Sequence, residues 1–479
     1  MRTSPLARNL ALLLALGGAI SAITIARPPG TPGPLLRDFE AYYAAGVLAT
    51  RGMSPYTLRI WDVEKMIPGV RAARNEALPF VGPPTYLPMW RALASFAYRP
   101  AAILWTGVLV IAFFGTLIIF LRKQGALSWM NVAACVLLCV GFGPLTSGLA
   151  LGQDALLSLS GLWLAVLWYE SSTAWASVAL LAAALQPNAA VTFLSQLPHR
   201  RAFAAVAAAM SIFLLTGLIF EGHLFRDYFH VLIEHGRAER FALIQITPGA
   251  VAAGFGVAAP GAVAISVMFA LGALVASVLA VRTTFGPLVK LGIVCALLPL
   301  AIPFFHEHNF VLLLPSILVG IFAPFRPGFW FGISAGVCAV DWLGLAQRPE
   351  ALPQSALLLA TFALALYCAS GRRYAAIGAC TIVPVMLLVA HLAQMQPAPV
   401  WPDAMHGGQP LSGSISAVWH DELLRTGQFE PQPLWAALRA CSLLGSGLLC
   451  ACLWRAARTY WMSTFIMSSN GDTSLGRKS

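Results

Sequence analysis

Polar side chains are scarce in this chain, so the places where they gather are informative. RDFEAYYAAGVLATRG (37–52) sets Asp38 and Glu40 beside Tyr42 and Tyr43, and GQDALL (152–157) puts Gln153 next to Asp154. AALQPNAAV centres on Gln186-Pro187-Asn188, and HEHNFVLLLP (306–315) opens with His306, Glu307 and His308. Asp38 and Glu40 are two residues apart and point to different faces of a helix, so they do not form the paired acid and base of a glycosidase. An aspartate at a helix start is also a good N-cap, and on local sequence alone the cap is the stronger reading of Asp38. Glu40 reads as a surface charge paired with Arg37. Asp154 divides in the same way between capping and, with Gln153, a polar wall for a sugar or phosphate. A metal at 306–308 would need another ligand, and alternate positions chelate weakly. Interfacial polarity, or contact with a phosphate or acceptor, are the remaining readings there.

The elements that carry these residues follow from composition. The chain has 479 residues, of which 58% are hydrophobic and 10% charged. Soluble domains average about 25% charged residues, so this chain cannot cover a water-facing surface. Apolar runs of spanning length recur throughout. The expected fold class is an all-α polytopic membrane protein. Spans are expected near 6–26, 100–121, 127–145, 155–169, 202–220, 260–281, 288–305, 308–324, 329–346, 355–369, 375–393 and 435–455. The formal charge of +11 reflects basic residues between spans, as topology requires, and does not point to nucleic acid. These links (RKQ at 122–124, HRR at 199–201, Arg282 with Lys290, Arg326, Arg372-Arg373, and Arg455, Arg458, Arg477 and Lys478 in the tail) share one side only if 173–197 enters the membrane and returns. The Gln-Pro-Asn breaker favours such a re-entrant pair, since proline removes a backbone bond and Asn and Gln satisfy freed groups.

Twelve crossings place both termini in the cytoplasm and leave 27–99, 221–245 and 394–434 outside. The run 37–52 reads as a short helix closed by Gly52, lying at the membrane surface. In 221–241, Leu224, Tyr228, Leu232 and Ile233 are expected on lipid, and an inert surface helix is the leading reading. The turn-rich segment 394–434 is a long connection or a lid. Asp341, beside Trp342, reads as a structural belt residue. The first helix is expected to remain uncleaved, residues 1–393 to form the transmembrane catalytic region, and 456–479 to be a disordered cytoplasmic tail. The nine cysteines fall within spans and outline neither a disulfide framework nor a zinc site.

Several of these features together resemble glycosyltransferase family 87: Asp-x-x-x-Tyr-Tyr at 38–43, SPY (54–56), GPPTYLPM (82–89), LW (104–105), GQDALL, the broken QPN segment before HRR, and HEHNFVLLLP. The resemblance spans 37–315, and beyond it the chain matches only as a string of spans. It departs at Gln186, where members commonly carry lysine before the proline, and at Gly82, where they carry an aromatic residue. The resemblance implies a GT-C-like helical bundle with amphipathic juxtamembrane helices, anchored in the plasma membrane. It also implies transfer of a hexose, mannose in the characterised members, from a polyprenyl-phosphate sugar at the outer face to a glycolipid or glycan. No cofactor or metal is implied.

In such enzymes an acidic residue of the first outer loop is the general base, and Asp38 is the matching position. Arg37, His306 and His308 are then candidates to meet the leaving phosphate, and Tyr42, Tyr43, Gln153, Asp154 and Gln186 to line the substrate site. A transporter or flippase for a lipid-linked sugar is the alternative from another class, but such proteins usually show internal repeats, which are not evident here. A catalytically degenerate family member is the third reading. A His199→Cys variant should react with an impermeant thiol reagent only from the cytoplasmic side, and labelling from outside would overturn the fold-back at 173–197.

Overall fold

Lipid offers no partners to backbone N–H and C=O groups, so a chain this apolar is driven into helices. The structure, a computed structural model, describes residues 5–26, 36–70, 77–323, 328–396 and 410–472. It is 78% helical, with no strand among the described residues. Six helices are long and apolar enough to cross a bilayer: Tyr98–Lys123, Arg200–Ala238, Ala259–Arg282, Pro349–Ser370, Arg373–Met395 and Pro433–Trp461. The protein is an all-α, multi-pass membrane protein. The twelve-crossing scheme also requires Ala11–Thr24, Ala155–Trp168, Pro287–Ala301, Glu307–Phe322 and Phe329–Ala339 to span, apolar helices of only 10–17 residues. Arg326, Arg477, Lys478 and residues 397–409 of the turn-rich segment lie outside the described residues.

Several helices break where the hydropathy pattern runs on. The expected span 127–145 is two helices, Trp129–Val140 and Gly143–Leu151, meeting at 70°. Pro144, in the first turn of the second, is the physical reason: it lacks an N–H, and its ring would clash with the carbonyl four residues back. Thr173–Ala183 stops before Gln186, which is extended (φ −114°), and a short helix restarts at Pro187. Pro287–Ala301 ends at an extended Ile302, short of the expected 305, and a 3-10 turn at Glu307–Leu313 leads into Leu314–Phe322. The expected span 329–346 divides into Phe329–Ala339 and Trp342–Gln347, and the Asp341 side chain accepts the Gly344 N–H at 2.7 Å as the cap of the second.

Small residues permit close packing inside the bundle, as in other membrane interfaces. A Cβ on Gly332 would fall 1.9 Å from the Ala375 carbonyl oxygen, so Phe329–Ala339 and Arg373–Cys380 touch backbone to backbone. Ala259–Arg282 does the opposite: Leu271, Leu274 and Val275 are exposed while Ala262, Ala273 and Ala280 face inward.

The helix expected at 37–52 runs Phe39–Thr50 and packs against Leu87–Ala94 and Ile60–Glu64. It is more enclosed than a surface helix, because eight of its twelve residues are buried. Glu40 is among them, fully buried, so the expected surface charge is corrected. Gly46 makes this packing possible: a Cβ there would lie 2.2 Å from the Trp90 carbonyl oxygen. Gly46→Ala should therefore destabilise the purified protein by about 1–3 kcal/mol, the usual range for overpacking. Gly107→Ala, with nothing within 4 Å of the new methyl, should not. Equal thermal unfolding of the two variants would contradict this account.

Candidate active site

Asp38 is fixed by the backbone beneath it. Its N–H donates to the Leu151 carbonyl at 3.0 Å, and the Tyr98 hydroxyl donates to Leu36 O at 3.0 Å. The indole of Trp105 donates to Gly152 O at 2.8 Å, which ties the same turn to Tyr98–Lys123. Leu36 is held at φ 61°, the only described non-glycine residue with positive φ. Left-handed backbone at a branched residue is strained and persists only where surrounding contacts over-determine it. The strain falls two residues before the carboxylate.

The cap reading of Asp38 does not hold, since its side chain makes no capping bond. Instead Gln153 Nε2 donates to Asp38 Oδ2 at 2.5 Å, and the Tyr42 hydroxyl donates to Gln153 Oε1 at 3.1 Å. Tyr42 is one helical turn from Asp38, and its ring stacks on Trp90 at 4.6 Å. Tyr43 is rotated about 100° further round the helix. It is not on the cavity lining; its hydroxyl donates to Phe96 O at 3.0 Å and its ring packs on Tyr98.

Asp154 likewise does not cap the helix that it precedes. It is 4% exposed and accepts from Gln186 Nε2 at 2.8 Å, while Gln186 N–H donates to Ser158 Oγ at 3.1 Å. Burial pushes its carboxyl up to about 7, against the opposing pull of the Gln186 bond.

These groups converge on a cavity of about 1050 Å³. Arg37, Asp38, Tyr42, Gln153, Asp154 and Gln186 line it, with His306 and His308 from the 304–309 turn. Tyr43 is the one expected site residue left out.

Other lining residues escaped the reading of the sequence. Tyr228 was expected on lipid but is buried and lines the cavity, as do His235 and Glu239. Trp419 lines it from Ile415–Arg425, in the segment expected to be a connection or lid. Glu307 is 6% exposed, and both its carboxylate oxygens lack a hydrogen-bond partner among the described residues. A usable signal did exist for Glu239: His235 and Glu239 are spaced i, i+4, which puts them on one helix face. Among the described residues no group of three or more His, Cys, Asp or Glu side chains is arranged to hold a metal ion.

The raised Asp154 carboxyl gives a pH prediction. The unfolded chain ionises this group near its ordinary value of 3.8, the folded protein only near 7. The folded state therefore binds the extra proton, and its contribution is complete below pH 3.8 and lost as pH rises to 7. Asp154→Asn imitates the protonated form and should flatten this decline in thermal stability. A variant that falls as steeply as wild type would contradict the assignment.

The region between the first long segment and the 304–309 turn carries a family match. Residues 80–303, just under half of the chain, match the model of glycosyltransferase family 87. The match begins beyond Asp38 and ends just before His306, and it contains Gln153, Asp154, Gln186 and Glu239. No curated protein and no solved structure matches the chain significantly. The resemblance read from scattered motifs thus has independent support: over residues 80–303 the chain matches glycosyltransferase family 87.

Proposed function

We propose that this glycosyltransferase moves a hexose, mannose by family resemblance, from a polyprenyl-phosphate sugar to an acceptor hydroxyl. In this reading the cavity opens to the outer face of the plasma membrane, both termini are cytoplasmic, and the bundle is of GT-C type. The observation that carries it is the position of Asp38: a carboxylate that does not cap its helix, lining a large cavity shared with amides and imidazoles suited to an anionic, hydroxyl-rich substrate.

The reaction is a single displacement. Asp38 takes the proton of the acceptor hydroxyl while that oxygen bonds to the anomeric carbon. The bond from that carbon to the phosphate oxygen breaks, and polyprenyl phosphate leaves with the electron pair from the opposite face, so the anomeric configuration inverts. Arg37, His306 and His308 line the same cavity and are the candidates to supply hydrogen-bond donors or positive charge to the leaving phosphate. Gln153 holds the base in position, because its amide is committed at both ends, to Asp38 and Tyr42. Sugar hydroxyls need acceptors, and Glu307 has two unmet ones. Gln186 supplies an amide where relatives commonly carry lysine, and Asp154 answers it with a carboxyl that stays largely protonated below pH 7.

Reconstitution with a panel of polyprenyl-phosphate sugars identifies the donor. Asp38→Asn keeps the shape of the side chain and removes the base, and should lower transfer by about 10²–10⁴-fold with unfolding temperature unchanged. Undiminished transfer by this variant would end the proposal.

A further inference from the structure

Glu239 sits just beyond helix Phe225–Ala238, only 1% exposed, on the cavity wall. A carboxylate has about four acceptor positions. Here they are taken up by side chains from three separate parts of the chain. His235 Nε2 lies 3.2 Å from Oε1, which also accepts from the Trp419 indole. Gln245 Nε2 lies 2.5 Å and His306 Nε2 3.1 Å from Oε2, and the Gln245 amide also meets His306 Nε2 at 2.8 Å. The orientation of the Gln245 amide is set independently, because Phe305 N–H donates to its Oε1 at 2.8 Å. Burial pushes the Glu239 carboxyl up, but His235, His306 and Trp419 together outweigh it and hold it down at about 2.

Two backbone bonds and one from a histidine ring clasp the same three segments. Ile246 N–H donates to Phe305 O at 2.6 Å, Leu243 N–H to Gln428 O at 2.8 Å, and His420 Nδ1 meets Ala238 O at 3.0 Å. With its acceptor sites occupied, Glu239 has nothing left to offer a substrate. His306 differs: its ring keeps 20% exposure and faces the cavity beside His308, with ring centroids 5.4 Å apart.

We propose that Glu239 is a positioning residue for glycosyl transfer, setting the His306 ring against the donor phosphate and joining helix Ile415–Arg425, through Trp419, to that task. The inference rests on the transfer reading above. It makes the C-terminal segment, which lies beyond the family match, a working part of the site wall. A glutamine at 239 would be nearly isosteric but chemically wrong, because its NH₂ would face either the Trp419 indole or the Gln245 amide, both of which donate.

The test is a double-mutant cycle in the reconstituted full-length enzyme, using the polyprenyl-phosphate sugar that wild type accepts. Glu239→Gln should raise donor KM and lower kcat/KM by about tenfold, within the usual range for coupled neighbours. In a His306→Ala background the same change should cost less than about twofold, because its route of action is gone. A purely structural loss would lower apparent kcat at constant KM, equally in both backgrounds, and would overturn the inference. So would full transfer by His306→Ala, or by Glu239→Gln. Asp38→Asn, run alongside, separates the two claims. If that variant is inactive while the Glu239 and His306 effects simply multiply, only the positioning role fails; if it retains full transfer, the reaction itself has been misread.

Discussion

Backbone amides released by a broken helix must find partners within the protein when the surroundings are lipid. This constraint organises the molecule, because the breaks at 141–143, 184–187, 302–306 and 340–341 all border one cavity. The freed groups are met by polar side chains. Ser158 answers Gln186, Gln245 answers Phe305, Asn309 answers His306 and Asp341 answers Gly344. A bundle of unbroken helices would have had no use for these residues. Once they are present, they supply a polar interior in which a carboxylate can be held without a cation at every step.

The cavity wall has two centres of organisation with different electrostatic logic. At Asp38 and Asp154 the amides of Gln153 and Gln186 donate to the carboxyls, and the Tyr42 hydroxyl donates to Gln153. Around Glu239 the partners include two imidazoles, an indole and an amide, enough to keep the carboxylate ionised. At Glu239 the acceptor positions are filled by the protein's own side chains, so carboxyls on one cavity sit in different donor environments.

Much of this was legible because polar residues stand out in an apolar chain. Asp38, Gln153, Asp154, Gln186, His306 and His308 were singled out by type and setting, and all of them line one cavity. Tyr43 was included because it adjoins Tyr42, but neighbours on a helix face different ways. Glu239 was hidden for the opposite reason: charges in an amphipathic segment normally point to water, and its indole partner lies 180 residues away. Glu40 was misjudged similarly, since nothing local reveals that Leu87–Ala94 packs beside its helix. The bend at Gly141–Phe142 was signalled only by Pro144, within an otherwise continuous hydropathy peak.

The lipid-facing helix Ala259–Arg282 carries one last consequence. Its 24 residues extend about 36 Å at 1.5 Å per residue, beyond a hydrocarbon core of about 30 Å. Only 11% of its most apolar stretch is buried in protein, so acyl chains are its main neighbours. Such a helix answers mismatch by leaning, or by stretching the lipid around it. It packs on Pro248–Gly254, directly after the Gln245–Thr247 run that braces the imidazole cluster. Bilayer thickness thereby has a mechanical route to the cavity wall.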